Sequence, residues 1–150
     1  MTKLRFYINM VFLLVLTVLS IFFTGNSLTL YIDTISFILA IILPYIIISF
    51  IYTPKEQMRF KGEIFKPAGL GDKKELSKAL LYFKSFKKLL LASAVVWTIV
   101  GFIGIMANLE DRESLGPNFG VLIIVPLYVS LFILMVVEPL RASAEKNLNE

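Results

Sequence analysis

The stretch LLLASAVVWTIVGFIGIMANLEDRESLGP, Leu89 to Pro117, places a charge-free apolar run, Leu89 to Leu109, directly before an acidic knot and a Gly-Pro pair. Wound as a helix at 1.5 Å per residue, the run is about 31 Å long, the thickness of a bilayer's hydrocarbon core. Ala94, Thr98, Gly101, Ile105 and Asn108 step along it by four, three, four and three, so they share one helix face. Gly104 and Ala107 widen that face. Small residues let helix backbones approach closely where no hydrophobic force drives association, so the face either packs on a neighbouring helix or lines a pore.

Three further runs have the same character: Phe6 to Phe23, Ile35 to Tyr52 with Pro44 near its middle, and Phe119 to Val137 with Pro126 inside it. Each is long enough to span, and none holds an Asp, Glu, Lys or Arg. The 150 residues are 57% hydrophobic and 17% charged, with a mean hydropathy of +0.80, a balance that belongs to membrane proteins. The fold class expected is all-α, a polytopic membrane protein with four transmembrane helices. Cysteine and histidine are absent, which excludes disulfides, Cys/His metal sites and histidine-based catalysis. No constellation of nucleophile and base suggests an enzyme, and no cofactor or metal is expected.

The net charge of +4 acquires its meaning from placement. Lys3 and Arg5 precede the first run, ten basic residues from Lys55 to Lys88 lie between the second and third, and Arg141 and Lys146 follow the fourth. Only Arg112 lies on the other side, among Asp33, Glu110, Asp111 and Glu113. Lysine and arginine are retained on the cytoplasmic side, so both termini are expected in the cytoplasm. The basic excess then reports topology beside a lipid bilayer and not nucleic-acid binding. The first run is long for a signal peptide, and the TGNS that follows Phe23 is not an A-x-A cleavage site.

The chain is accordingly divided into 1–53, a peripheral pair of spans; 54–88, a short basic cytoplasmic linker with an amphipathic helix; and 89–150, a pore-side pair of spans with a cytoplasmic tail. In the linker, Pro67, Gly69 and Gly71 give way to GDKKELSKALLYFKSFKKLL, where Asp72 and Glu75 have capping-box spacing and Leu76, Leu80, Phe83 and Leu90, with Ala79 and Phe86 beside them, recur at helical intervals. No breaker separates this helix from the third span, so it either projects as one rod into the cytoplasm or bends at Lys87-Lys88 to lie on the lipid surface. Lys84, Lys87 and Lys88 are candidate cytoplasmic contacts. In the fourth span Pro126 frees the carbonyl of Leu122, while Tyr128 and Ser130 supply polar groups that either bond between helices or wet a channel. Glu138, just before Pro139 at the inner boundary, is placed to pair with Arg141.

GNSLTLYIDTISFILAIIL, with its loop glycine and hydrophobic-Asp-x-x-Ser segment, resembles the first loop and second span of the MotA/TolQ/ExbB proton-channel family, in particular the flagellar stator A subunits. WTIVGFIGIMANLEDRESLGPNFGVLIIVPLYVSLFILMVVEPL resembles that family's third and fourth spans: a Gly-rich helix, a hydrophobic-x-Asn-Leu-acidic turn, Leu-Gly-Pro, a Leu-Tyr pair and a terminal Pro-Leu. The resemblance implies an A-type subunit of an ion-driven motor or energy-transducing complex of the bacterial inner membrane. Such subunits form a homo-oligomer, a pentamer, around a MotB/ExbD/TolR-like single-span partner that brings the ion-binding aspartate, with H+ or Na+ as the transported ion. It also implies that the third and fourth helices line the path. Ala94, Thr98, Gly101, Ile105, Tyr128 and Ser130 are then pore candidates, and Gly104, Pro126, Pro139 and Glu138 packing or gating candidates. Two departures stand against it. Val125, Pro126, Leu127, Tyr128 and Val129 replace the family's Thr-Thr-Leu-Tyr-Gly, and the segment from Tyr52 to Lys88 is much shorter than a stator linker. A non-conducting membrane scaffold with the same fold is the alternative.

Overall fold

A computed structural model describes residues 2–25, 27–67, 70–110 and 112–149. Gly69 and Asp111, named above, lie outside them. The chain is all-helical among these residues: α1 (Lys3–Phe23), α2 (Thr34–Phe37), α3 (Leu43–Ile51), α4 (Pro54–Ile64), α5 (Lys73–Ala107), α6 (Arg112–Phe132) and α7 (Glu138–Asn149). A π turn, Ile38–Ile42, joins α2 to α3, and a second, Ile133–Val137, joins α6 to α7. Four helices are long and apolar enough to cross a membrane, as the four apolar runs predict.

The π turns follow from proline. Each ends two residues before a proline, Ile42 before Pro44 and Val137 before Pro139. A proline inside a helix has no N–H and its ring presses on the carbonyl four residues back, and widening the preceding turn relieves that clash. Pro126 sits within α6 with no such turn before it. Pro117 also lies inside α6, because the helix starts at Arg112 and takes in the Leu-Gly-Pro segment that the sequence places in a turn. The real reversal on the acidic side of α1 is at Gly25, whose φ of 70° is the left-handed conformation glycine adopts without a Cβ penalty.

α5 is one uninterrupted helix of 35 residues, about 52 Å long. It does not bend at Lys87-Lys88. Its basic half is buried along Leu76, Ala79, Phe83, Phe86 and Leu90, the periodic set read from the sequence, with Tyr82 added and Leu80 half-buried. α4 and α7 cover this half, forming with it a helical layer at the basic end of the molecule. Phe60 and Ile64 of α4, and Val137, Leu140 and Ala144 of the second π turn and α7, complete the core there. α1 is the outlier: none of its residues is buried, and it rests chiefly on the second π turn.

Two local readings are corrected. Asp72 caps α5 by accepting from Lys74 N–H, but Glu75 does not close a box; it pairs with Lys78 and Arg59 instead. The complete capping box is at Thr53 and Glu56, opening α4 with Pro54 in its first turn. The linker therefore holds two helices, and the second expectation missed is α7, which continues the fourth span into the basic layer as far as Asn149.

Candidate functional site

The seam between α5 and α6 is the place where the sequence-selected residues meet. The small face of α5 is turned toward the chain's own fourth span: Ala94 and Ile105 are buried, and a Cβ built on Gly101 would stand 2.8 Å from Leu122 Cδ1. Gly101 is thus needed for close approach, whereas Gly104 has open space where a side chain would go. Thr98 is half-buried on the same helix. Toward the acidic end the seam opens into a cleft of about 500 Å³ against α2, with Asp33, Ser36, Gly101, Gly104, Asn108 and Asn118 among its lining. Asn108 caps the end of α5 by donating from Nδ2 to the Gly104 carbonyl at 2.9 Å.

Tyr128 ties the fourth span to the start of the second. Its hydroxyl donates to the Tyr31 carbonyl at 2.6 Å and accepts from Asp33 N–H at 2.8 Å. Asp33 in turn N-caps α2, its Oδ2 accepting from Ser36 N–H at 2.7 Å. The Asp-x-x-Ser segment is therefore a cap held in place by a tyrosine 95 positions later. The Phe37 ring stands edge-on to Tyr128 at 6.1 Å between centroids. Pro126, two residues before Tyr128, is half-buried, and Ser130, two residues after it, is exposed. Val125 and Val129 are buried in the core, so the positions where the resembled family carries threonine and glycine turn inward on this chain.

At the other end of the seam, Glu138 accepts from Lys87 Nζ and, at 2.7 Å, from Arg141 Nε. Arg141 was the partner expected; Lys87 adds a link from α7 back to α5. Of the three lysines read as cytoplasmic contacts, Lys84 and Lys88 are exposed and Lys87 is engaged inside the chain. Pro139 lies two residues beyond the end of the π turn, after Glu138.

Sequence reading missed three polar residues that join the helices, Ser93, Gln57 and Asn147. Ser93 Oγ donates to the Leu39 carbonyl at 2.8 Å, across to the first π turn. Gln57, buried in α4, donates to Ser49 Oγ and the Tyr52 carbonyl and accepts from Tyr82 Oη at 3.2 Å, so three helices share one satisfied network. Asn147 of α7 donates to the Ile64 carbonyl at 3.0 Å, closing the end of α4. Only the Thr53-x-x-Glu56 cap had a readable signature; the others are single polar residues whose partners lie far along the chain.

No protein-family model matches the chain, and no solved structure matches it. The chain is similar to Motility protein A of Borreliella burgdorferi, 31% identical over 64 residues; the match covers 43% of this chain and 25% of that relative's length.

Proposed function

We propose that this chain is an A-type subunit of an ion-driven motor or energy-transducing complex of the bacterial inner membrane, forming a ring around a single-span partner. The observation that carries the reading is the similarity to Motility protein A. Its chemistry fits: an ion path normally needs an ionisable relay, the spans of this chain have none, and the partner's helix supplies an aspartate. Thr98 is the one threonine in the third span and meets the permeating H+ or Na+ or its water. Gly101 sets the approach of α5 to α6, Tyr128 holds the outer end, and Glu138 and Pro139 shape the inner end. Lys84 and Lys88 face the driven machine or the lipid surface.

The test is native mass spectrometry of the complex extracted in mild detergent with a co-expressed single-span, Asp-bearing partner. Several copies of this chain bound to fewer copies of the partner, as in five with two, is the expected outcome, and Thr98→Val then lowers partner-dependent ion flux. A second reading, a non-conducting scaffold, is favoured by Val125 and Pro126 at the positions of the family's threonines. It predicts a ring that ignores the partner and passes no ions.

A further inference from the structure

Contacts along the second span fix its depth against the third and fourth. At its acidic end, the Tyr31 carbonyl and the Asp33 N–H are bonded to Tyr128, the middle of the fourth apolar run. Further along, the Leu39 carbonyl takes the Ser93 hydroxyl, the Tyr45 ring stands 6.3 Å from Phe86 between centroids, and the Tyr52 ring stands 5.2 Å from Tyr82. Phe86 immediately precedes Lys87, which pairs with Glu138, so this ion pair is level with the middle of the second apolar run and not with its end. Tyr82 lies five residues before Lys87, and the second run therefore extends about 8 Å past the pair toward the basic end.

α1 shows the same offset. Phe6 opens its apolar run and stands 5.8 Å from the Phe65 ring, next to the Ile64 carbonyl that Asn147 caps. Asn147 is nine residues beyond Glu138, about 13 Å along α7. Lys3, Arg5 and Lys55 flank the basic ends of these two runs, as cations flank a span at the cytoplasmic headgroups. The first pair of spans is thus shifted by about two helical turns toward the basic end relative to the second pair.

The shift brings charge to the level of apolar surface. At the depth of the Lys87–Glu138 pair the second span exposes Tyr45, Ile46 and Ile47, a surface suited to hydrocarbon. Glu138 accepts from both Lys87 and Arg141, and its side chain is too short to carry the cluster out to the headgroups. All three side chains keep part of their surface open. Charged groups at membrane depth are accommodated in the bundle interior or beside a water-filled cavity, and partial exposure selects the second.

We infer that the Lys87–Glu138–Arg141 cluster borders an inlet of cytoplasmic water, at a depth where the first two spans lie in lipid. A polar solute entering along the inlet meets hydrocarbon only beyond Glu138. The inference needs the four spans and their stagger, and it stands whether or not the chain forms a ring.

The chain has no cysteine, so single replacements report water access directly. Lys73→Cys, at the exposed start of α5, sets the rate for full access. In inverted membrane vesicles treated with an impermeant anionic methanethiosulfonate, Lys87→Cys should react about tenfold or more faster than Ile46→Cys, because the reacting thiolate forms only where water reaches. Arg141→Cys, which leaves Lys87 paired with Glu138, should do the same. Both cluster cysteines reacting as slowly as Ile46→Cys would mean that the cluster is sealed in protein or lipid. Ile46→Cys reacting as fast as Lys73→Cys would mean that the basic ends of the first two spans stand outside the bilayer. Either result removes the inlet.

Discussion

Tyr128 reaches the Tyr31 carbonyl at 2.6 Å, a bond that links the middle of the fourth span to the 3₁₀ turn (Leu28–Tyr31) preceding the second. The same oxygen accepts from Asp33 N–H, so one phenol satisfies a carbonyl and an amide that no helix serves. The bond pair thus fixes the start of α2 against α6 toward the acidic end of the molecule.

Tyr128→Phe keeps the ring against Phe37 and removes the hydroxyl. Leaving a part-buried donor and acceptor unpaired costs about 1–3 kcal/mol. Amide exchange at Asp33 should accelerate while exchange in the basic-end helices stays as it was; equal protection at Asp33 would show that water replaces the phenol without loss.

Gly101 and Gly104 look alike in the sequence and differ in the fold. Gly104→Ala should be neutral, since its Cβ meets nothing within 4 Å. Gly101→Ala forces the flexible end of Leu122 to shift, and Gly101→Leu should separate α5 from α6 at a cost of about 1–3 kcal/mol. Thermal unfolding of the three variants in one detergent orders them, and a Gly104→Ala as unstable as Gly101→Leu would contradict this seam.

Ser93→Ala orphans the Leu39 carbonyl inside the first π turn, a loss of about 1–3 kcal/mol. Pro44→Ala returns an amide donor to that turn, so the double variant should regain stability relative to Ser93→Ala alone. Strictly additive losses in the two variants would mean that the serine and the proline act separately.

Glu63, at the basic end and outside the apolar runs, has its carboxyl held below its ordinary value, first by the hydrogen bond from Lys66 and then by Asp72 N–H. A depressed carboxylate contributes stability at pH above its ordinary value, and the contribution is lost as pH falls through the lowered one. Acidification should therefore free the Asp72 amide at the start of α5, read as faster exchange once the intrinsic pH dependence is removed. Glu63→Gln should flatten that dependence; an identical acid profile would place the titration on another group.

Much of the architecture was legible in the chain because it rests on local composition. An apolar run of membrane length identifies itself, whereas the period unbroken by Gly or Pro between Lys73 and Val100 allowed either a straight rod or a bend at Lys87-Lys88, and α5 is the rod. The prolines marked the π turns in position though not in kind. The capping box was legible too, but at Thr53 rather than at Asp72, because a carboxylate can cap its own helix while the glutamate three residues on takes a stronger offer from nearby cations.

What the sequence by itself determined, then, is the number and length of the apolar helices and the charge asymmetry of the segments between them, all properties of short windows whose hydration free energy is nearly additive. Only the tertiary structure decided which faces meet. Tyr128 with Tyr31, Ser93 with Leu39, Lys87 with Glu138 and Asn147 with Ile64 are separated by 51 to 97 positions. Each of those polar groups has several partners of equal chemical merit along the chain, and the choice among them follows from the relative depth and rotation of packed helices, which no single segment encodes.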